Sequence, residues 1–351
     1  MKVFLTGIAG FIGFHVAKKL ADSGHEVLGI DVLNDYYESG LKYERLEVLG
    51  LKRGEIKSGK VIKSNIYDNL SFIYLDILDK EHILSLFSQY KFTHVCHLAA
   101  QAGIRDSIEN PDSYISINIV GFFNVLDACR IHRENIKHFV YASTSAVYGI
   151  NENMPSCEDN ITDHPLNLYA ASKKSNEVIA HAYSSSFGIP TTGLRFFTVY
   201  GPYGRPDMAL YLFADGISKN TTIDVFNNGD MARDFTYVDD VVDGIYSVLE
   251  KPAESDGSFD TKNPSSSSSL APYKIYNIGT GHAVKLMNFI DELEVALENK
   301  ALKNFLPMQK ADAVESCCDI SKLKNDFAYK PLTSIKEGIK KFVNWYKSRV
   351  I

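Results

Sequence analysis

Hydrophobic and polar positions follow two different periods over the first two hundred residues of the chain. Short apolar runs of the kind found in buried strands alternate with stretches in which apolar residues recur every three or four positions, as on one face of a helix. The strand-like runs lie at 2–6, 26–31, 72–75, 94–97, 139–142 and 191–196, and the helical patterns at 11–21, 41–49, 80–88, 111–132 and 168–186. Alternation of this kind predicts an α/β fold with a doubly wound parallel sheet.

The alternation stops after residue 196, where glycine, proline and aspartate cluster in 201–207. Such clusters mark turns and loops, so we expect the chain to leave the sheet here for a smaller, substrate-covering domain. Apolar runs at 238–249 and 273–278 predict a return to the sheet. Two interleaved domains are therefore expected. The nucleotide-binding domain is predicted to comprise residues 1–196 plus about 236–278. The substrate domain is predicted to comprise about 197–235 plus 279–351.

A glycine-rich turn joins the first predicted strand to the first helix. Gly7 permits the tight turn, Gly10 lets backbone approach a pyrophosphate, and Gly13 lets the helix pack on the strand. The helix N-terminus offers free N–H groups and a positive dipole to phosphates. Asp31 ends the next strand, 18 residues after Gly13, where a carboxylate binds the adenosine ribose and repels a 2′-phosphate. The pattern predicts a Rossmann-type site that prefers NAD to NADP, the alternative being a packed turn without ligand.

Tyr169 and Lys173 are four residues apart in the helical pattern 168–186, so their side chains share one face of that helix. A phenol has a pKa of about 10 and is a poor base at neutral pH. A neighbouring lysine ammonium favours the phenolate, so the pair could take a proton from a sugar hydroxyl. The spacing alone is common on solvated helices. A catalytic role is favoured by the position of the pair, which follows the fifth strand-like run and the polar segment Ser143–Ser145.

Length, charge and cysteine content narrow the class of protein. The chain has 351 residues, a net charge of −6 and no basic run, so it is not expected to bind nucleic acid. The first strand follows Met1 directly and no apolar run reaches about 18 residues, so we expect neither a signal peptide nor a membrane span. Five scattered cysteines without metal-ligand spacing favour a reduced, cytoplasmic protein without a metal over a redox role for Cys317 and Cys318. The serine-rich stretch 254–272 is interpreted as a surface insertion.

Two sets of segments carry a resemblance to a known family. The first set comprises Gly7-x-x-Gly10-Phe-Ile-Gly13, His97-Leu-Ala-Ala100, Tyr148-Gly149 and Tyr169-x-x-x-Lys173. The second set comprises Asp31-Val-Leu-Asn-Asp-Tyr-Tyr37, Gln101-Ala-Gly-Ile-Arg105 with Ser107-Ile-Glu-Asn-Pro111, Thr198-Val-Tyr-Gly-Pro-Tyr-Gly-Arg-Pro-Asp-Met208 and Asn228-Gly-Asp-Met-Ala-Arg-Asp-Phe-Thr-Tyr237. The first resembles the extended short-chain dehydrogenases and reductases that act on nucleotide sugars, the NAD-dependent epimerase/dehydratase family. The second is similar to the UDP-glucuronate 4-epimerases of that family. Departures occur at Lys310-Ala311 and Cys317-Cys318, where the family usually has Pro-Gly and Tyr-Ala.

The resemblance implies a redox cycle that leaves NAD unchanged and interconverts UDP-glucuronate and UDP-galacturonate. Tyr169 removes the C4 hydroxyl proton while hydride passes from C4 to NAD, the 4-keto sugar turns over, and hydride returns to its other face. Thr144 matches the position whose hydroxyl bridges the sugar O4 and the catalytic phenol. The catalytic residues implied are thus Tyr169, Lys173 and Thr144.

The same resemblance implies which residues hold the two ligands. Those expected to bind the cofactor are Gly7, Gly10, Phe11, Ile12, Gly13, Asp31, Asn34, Asp76, Ile77, Leu98, Ala99, Ala100, Gln101, Ser143, Tyr169 and Lys173. Those expected to bind the UDP-sugar are Thr144, Ser145, Thr198, Arg205 and Arg233. Arg233 would contact the diphosphate through charge-assisted hydrogen bonds.

The choice of substrate rests on two features. Related decarboxylases and dehydratases carry a carboxylate just after the catalytic threonine, whereas this chain has Ser145 and Ala146 there, which favours simple epimerisation. A buried glucuronate carboxylate needs partners, because an unpaired buried charge is costly. Arg205 and Thr198 lie in the family segment that binds it. The alternative for Arg205 is a surface ion pair with Asp207.

Two other functions and an oligomeric state are weighed. A 4-epimerase of neutral UDP-sugars is the main alternative, and Arg205 with Thr198 argues against it. A non-catalytic, cofactor-sensing protein of the same fold would be expected to lose Tyr169 or Lys173. Apolar faces around 114–129 and 176–187 predict a homodimer through a four-helix interface, unless both helices only cover the sheet.

Overall fold

The computed structural model describes residues 1–34, 38–151, 153–309 and 313–350. Its strands are β1 (Lys2–Thr6), β2 (Glu26–Asp31), β3 (Val61–Lys63), β4 (Leu70–Tyr74), β5 (His94–His97), β6 (His138–Thr144), β7 (Thr191–Phe196), β8 (Thr198–Tyr200), β9 (Thr222–Val225), β10 (Ala232–Arg233), β11 (Phe235–Tyr237), β12 (Tyr273–Ile278), β13 (Val284–Lys285), β14 (Leu302–Phe305) and β15 (Glu315–Ser316). Its α-helices are α1 (Phe11–Asp22), α2 (Ser39–Val48), α3 (Lys80–Tyr90), α4 (Asp106–Glu109), α5 (Pro111–Ser113), α6 (Phe122–Ile131), α7 (Leu168–Phe187), α8 (Ala209–Ser218), α9 (Val238–Glu250), α10 (Leu286–Leu297), α11 (Ser321–Phe327) and α12 (Ile335–Val350). A π-helical segment, Tyr114–Gly121, joins α5 to α6.

The main sheet has eight strands in the order β12-β7-β6-β5-β1-β2-β4-β3. Neighbouring strands are parallel except β3, which pairs antiparallel with β4 at one edge. From β1 the chain moves towards β2 and β4, and then crosses to β5, β6 and β7 on the other side. This reversal of strand order defines a doubly wound Rossmann sheet, so the predicted fold class is confirmed. Strand β3 was not predicted, because a run of three residues is too short to show a period.

Alternating side chains of the central strands enter two apolar layers, one on each face of the main sheet. In β1, Val3 and Leu5 belong to the layer that contains residues of α1 and α9, whereas Phe4 belongs to the layer that contains residues of α3 and α6. Both faces are therefore covered. This explains why the strands read as near-continuous apolar runs in the sequence rather than as alternating ones.

A smaller unit follows β7 and lies beside the cavity described below. Its strands form three small sheets, β13-β10-β15, β11-β8 and β14-β9. Helix α9 packs against α1, and β12 returns to the main sheet next to β7, as the apolar runs predict. The structure thus contains the predicted excursion from the sheet and the return to it. The residue boundaries assigned to the two domains remain a prediction.

The helical segment Pro111–Ile131 is long and apolar enough to cross a membrane by length and composition alone. It has 21 residues and a mean hydropathy of 1.3 in its most apolar window. The sequence predicts no membrane span, and the polar residues Asp112, Asn118 and Asp127 interrupt the apolar run. Of that window, 56% is buried inside the fold, where α6 packs against α3 and α7. A core helix of a globular protein passes the same test of length and composition.

The serine-rich stretch interpreted as a surface insertion is fastened to the rest of the protein. Ser265 and Ser267 donate hydrogen bonds to the Asp159 carboxylate at 2.5 and 2.7 Å. Lys322 forms an ion pair with the same carboxylate at 2.6 Å. The side chain of Ser269 contacts the His181 ring nitrogen at 2.8 Å. These contacts hold the stretch against α7 and α11, away from the cavity.

Candidate active site

One cavity of about 1130 Å³ lies at the carboxyl ends of the main strands, where the strand order reverses. Ligands of open α/β sheets bind at this position. Every residue that the sequence analysis assigned to the cofactor or to the substrate lines the cavity. The structure therefore brings the predicted residues together, while their individual roles remain predictions. Among the described residues, no three His, Cys, Asp or Glu side chains group as metal ligands.

The glycine turn fits a dinucleotide diphosphate. Gly7 has φ +80°, a value that side chains other than glycine rarely adopt. A Cβ atom added to Gly13 would lie 2.0 Å from the Gly7 carbonyl oxygen, so this position requires glycine. At Gly10 the same distance would be 3.0 Å, and a side chain there would project at the start of α1. The backbone at the N-terminus of α1 thus lines the cavity without a side chain in front of it.

Asp31 ends β2 and is buried at the adenosine end expected for the cavity. Its Oδ2 accepts the Ala9 N–H at 2.9 Å, and its Oδ1 lies 3.6 Å from the Lys42 ammonium. Burial raises the pKa of Asp31 above its usual value, and the charge of Lys42 and the Ala9 N–H oppose that rise. Lys42 also donates to the Val32 carbonyl at 2.7 Å and to Asn34 at 2.9 Å. The carboxylate is therefore held in place rather than free to turn.

Sequence reasoning missed Lys42. A signal was present, because Lys42 lies between Leu41 and Arg45 on the side of α2 that is buried. A lysine on the buried face of a helix needs a partner, and Asp31 is a carboxylate predicted nearby.

Replacement of Asp31 by alanine is expected to weaken NAD binding by roughly tenfold to a hundredfold, from the loss of a charged hydrogen bond of about 1.5–3 kcal/mol. The parent protein should bind NADP less tightly than NAD, because the carboxylate repels a 2′-phosphate. In the variant Lys42 remains as a cation for that phosphate, so the difference between the cofactors should narrow. Calorimetric titration of both proteins with both cofactors measures this.

The matched control for this prediction is Asp31→Ala combined with Lys42→Met. This double variant should bind NADP no more tightly than the parent protein does. Equal affinities of the parent protein for NAD and NADP would contradict the role given to Asp31.

Helix α7 places the predicted catalytic pair. The Asn167 side chain accepts the Ala170 N–H at 2.9 Å and starts the helix, so Tyr169 lies in its first turn and Lys173 one turn later. Thr144 is the last residue of β6, and its hydroxyl accepts the Ala146 N–H at 3.2 Å. Thr144 and Tyr169 both line the cavity, and Thr144 lowers the pKa of the phenol. The buried ammonium of Lys173 donates to the Ala142 carbonyl at 3.0 Å. The three groups converge on the middle of the cavity.

The protonation of this pair differs from the expectation. Burial raises the pKa of Tyr169, and the hydrogen bond with Thr144 and the charge of Arg205 oppose the rise without reversing it. Burial lowers the pKa of Lys173 to about 8. The phenol is therefore protonated at neutral pH in the protein alone, because the desolvation of a phenolate outweighs the nearby positive charges.

A buried ion pair that was not predicted from the sequence holds the Ser143 side chain in place. Its hydroxyl donates to Glu177 Oε1 at 2.7 Å, and Arg195 binds both oxygens of the same carboxylate at 2.9 Å. Burial favours the protonated carboxyl and raises the pKa of Glu177. The charge and hydrogen bonds of Arg195 outweigh this effect and hold the pKa below its usual value. Since the Ser143 proton points to Glu177, its oxygen can only accept from a ligand. Glu177 was detectable as a buried acid four residues after Lys173 on the same helix face.

The predicted substrate residues line the wall contributed by the smaller unit. Arg205 forms two hydrogen bonds to Asp207, at 3.0 and 2.5 Å, and one to the Ala102 carbonyl at 3.3 Å. The ion pair named above as the alternative for Arg205 is thus present, although Arg205 also lines the cavity. Arg233 donates to the carbonyls of Val314 at 3.0 Å and Ala313 at 2.6 Å. It therefore fastens the C-terminal wall of the cavity.

The fold, the glycine turn and the Tyr-Lys pair define an NAD-dependent enzyme of the short-chain dehydrogenase/reductase type. The chain belongs to the NAD dependent epimerase/dehydratase family, whose model matches residues 3–279. The predicted family, enzyme class and cofactor are confirmed.

Several known proteins are similar over the full length. Protein CapI of Staphylococcus aureus is 48% identical over 347 residues, which cover 99% of this chain and 98% of that protein. A probable UDP-glucuronate 4-epimerase of Rhizobium meliloti (strain 1021) is 40% identical over 347 residues, covering 99% and 97%. The crystal structure of UDP-glucuronic acid 4-epimerase from Bacillus cereus in complex with UDP-glucuronic acid and NAD is 31% identical, has a TM-score of 0.83 and covers 99% of this chain and all of that one.

Proposed function

We propose that the protein interconverts UDP-glucuronate and UDP-galacturonate by oxidising C4 of the sugar and reducing it again from the other face. The observation that carries the proposal is the meeting of Tyr169, Thr144 and the glycine turn in one cavity that has room for both a dinucleotide and a UDP-sugar. The full-length similarity to UDP-glucuronate 4-epimerases supports the choice of sugar.

The residues of the chain account for the proton movements. The Tyr169 phenol first has to ionise, which the positive charge of a bound nicotinamide would favour. The phenolate oxygen then takes the proton of the C4 hydroxyl when C4 becomes a ketone, and the phenol returns it when the hydroxyl forms again. NAD, when bound, supplies reversible acceptance of the hydride from C4. Thr144, at the end of β6, lines the same cavity as the phenol and would orient the sugar O4. Because the same proton is taken and returned, a phenol with a raised pKa suits the second half of the cycle, and Lys173 stabilises the anion of the first half.

The acids that line the cavity support epimerisation rather than elimination. Elimination or assisted decarboxylation needs a base near C5 of the sugar. Among the described residues, the carboxylates lining the cavity are Asp31, Asp76 and Glu315, and none of them lies on β6 or on the turn after it. Ser145 and Ala146 start that turn, next to Thr144. The sugar would therefore keep its carboxylate and its C5 hydrogen through the cycle.

Recognition of the glucuronate carboxylate is assigned to Arg205 and Thr198. Thr198 begins β8, which pairs with β11, and the loop after β8 brings Arg205 to the cavity. The Asp207 carboxylate holds the guanidinium on one side. This ion pair is also the observation that favours the second candidate, a 4-epimerase of neutral UDP-sugars, in which Arg205 would serve the loop alone.

Replacement of Arg205 by leucine is expected to lower kcat/KM for UDP-glucuronate by roughly tenfold to a hundredfold, from the loss of a charged hydrogen bond of about 1.5–3 kcal/mol. Any turnover of UDP-glucose, which has no carboxylate, should change much less. The Asp207→Asn variant is the matched control, because it keeps the guanidinium and removes its charged partner, and it should retain activity on UDP-glucuronate. Equal losses on both sugars would assign Arg205 to the diphosphate or to the loop.

The experiment that tests the function is direct. Purified protein is mixed with UDP-glucuronate, and the sugar signals are followed by NMR. We expect the signals of UDP-galacturonate to grow without loss of carbon dioxide. A 4-keto-pentose product would indicate decarboxylation instead, and conversion of UDP-glucose alone would select the neutral-sugar alternative.

A homodimer and a cytoplasmic location are proposed with the function. Apolar side chains remain exposed on both helices predicted to pair with a second copy: Ile115 (43%), Val120 (47%), Val178 (57%) and Phe187 (39%). The segment Tyr114–Gly121 packs against α7, so these side chains belong to adjoining surfaces. The molar mass in solution, measured by light scattering, tests the dimer. The proposed domain boundaries are those predicted from the sequence, with β12 as the return to the main sheet.

A further inference from the structure

Arg45 of α2 is a fully buried guanidinium that has no part in the proposed chemistry. Its Nη1 donates to the Ala9 carbonyl at 2.8 Å, inside the glycine turn. Its Nη2 and Nε donate to the Tyr203 carbonyl at 2.6 and 3.1 Å. Tyr203 belongs to the loop 201–208, which carries Arg205 into the cavity. One side chain therefore connects the backbone of the cofactor site with the backbone of the substrate loop.

The backbone at Tyr203 is in an unusual conformation. Its φ is +59°, in the left-handed region that costs a residue with a side chain about 1 kcal/mol or more. The Tyr203 ring packs against Phe14 of α1 and Trp345 of α12, with ring centroids 4.8 and 5.0 Å away. A strained conformation persists only where its surroundings enforce it, and Arg45 supplies two of the hydrogen bonds that do so.

A second contact ties the same loop to α1. The His15 ring nitrogen Nε2 lies 3.0 Å from the Pro202 carbonyl oxygen and donates to it. Burial lowers the pKa of His15 to about 4, so the ring is neutral at physiological pH and this hydrogen bond does not depend on its charge. Two consecutive carbonyls of the substrate loop are thus held by helices of the cofactor domain.

The other end of the connection reaches the ribose site. The Ala9 residue that offers its carbonyl to Arg45 donates its N–H to Asp31. Lys42, one turn before Arg45 on α2, contacts the same Asp31 carboxylate. A movement of Asp31 or of the glycine turn around a bound dinucleotide would therefore displace the Ala9 carbonyl to which Arg45 donates. Because the guanidinium is planar and rigid, a displacement of the Ala9 carbonyl would also displace the Tyr203 carbonyl.

We infer that Arg45 is a positioning residue that couples the two sites, so that NAD and the UDP-glucuronate substrate, whose carboxylate is assigned to Arg205 of the loop, stabilise each other on the protein. The inference rests on the proposed function for the identity of the two ligands. Coupling of this kind is reciprocal, and common values are about fivefold to 150-fold in affinity. A residue that only supports the fold would change stability and leave the coupling unchanged.

The test measures how fast the NAD-loaded protein releases NAD. An excess of NADH is added as a trap, its fluorescence on binding reports the release, and the rate is compared with and without saturating UDP-glucuronate. We expect UDP-glucuronate to slow the release by at least about fivefold in the parent protein. In Arg45→Lys, which keeps the charge but loses the fork that bridges both carbonyls, UDP-glucuronate should have almost no effect.

Two further variants keep the inference falsifiable. Arg349→Gln removes another guanidinium that contacts α2, through Glu44 at 2.7 Å, and should retain the coupling of the parent protein. If Arg45→Lys does not fold, His15→Ala removes the second contact to the loop and should reduce the effect of UDP-glucuronate. Parental coupling in the folded variants, or no coupling in the parent protein, overturns the inference. The proposed function is judged separately, by the NMR assay with UDP-glucuronate.

Discussion

Replacement of Tyr169 by phenylalanine should lower kcat by roughly 10² to 10⁴, the usual contribution of a general acid–base group. The phenol lines the cavity together with Thr144 and Lys173, and phenylalanine keeps the ring but removes the oxygen that takes the proton. NAD should remain bound, because the glycine turn and Asp31 are unchanged. Turnover followed by NMR and the NAD content of the purified variant measure the two effects.

The matched control for this prediction is Tyr114→Phe. The Tyr114 ring packs edge-on against Tyr169 at 6.2 Å, and its hydroxyl donates to the Gly103 carbonyl at 2.8 Å. The hydroxyl also lies 3.0 Å from the Asp106 carboxylate. The control thus loses a phenol that is packed beside Tyr169 but does not line the cavity, and it should keep most of its activity. Near-normal turnover of Tyr169→Phe, or equal losses in both variants, would remove Tyr169 from the mechanism.

The sequence predicted the parts of the fold and site that depend on local pattern. Strand β1, the glycine turn and α1 follow one another within about twenty residues, and their order alone places the cofactor end of the cavity. Tyr169 and Lys173 share a helix face by spacing, and Thr144 ends the strand before that helix. Parallel strands carry these groups to one edge of the sheet. The glycine turn, Asp31 and the Tyr169–Lys173 pair could therefore be predicted from the pattern, whereas Thr144 and the other residues of the cavity were predicted from the resemblance to the family.

Contacts between distant segments could not be predicted in this way. Arg45 and Arg195 donate to backbone carbonyls and to a carboxylate that lie 18 or more residues away in sequence, and backbone carbonyls leave no trace in the amino-acid sequence. The direction of the pKa shift of Tyr169 was also beyond the sequence, because spacing shows which charges are near but not how deeply the phenol is desolvated. Likewise, Arg205 could be assigned to the cavity wall, but the sequence could not show whether it forms an ion pair with Asp207.

Replacement of Lys173 by methionine should abolish most activity and at the same time stabilise the fold at neutral pH. Burial lowers the pKa of Lys173 from 10.5 to about 8, so below pH 8 the folded protein carries an ammonium that the interior disfavours. A shift of this size corresponds to a cost on the order of 3 kcal/mol. Methionine has a similar length and no charge. The variant loses the hydrogen bond to Ala142, about 0.5–1.5 kcal/mol, so its free energy of unfolding at pH 7 should still rise.

The pH dependence fixes the sign of this prediction. Between about pH 8 and 10.5 the unfolded chain holds the Lys173 proton more tightly than the folded protein, so the parent gains stability from this group as the pH rises. The variant lacks that gain, and the difference in Tm between the two proteins should shrink across this window. Activity should fall about as far as in Tyr169→Phe, because the Tyr169 phenolate that takes the C4 proton loses the cation one helix turn away on α7. A variant that is less stable at pH 7, with a difference in Tm independent of pH, would show that Lys173 is a structural lysine paired in the fold rather than a charge held there for catalysis.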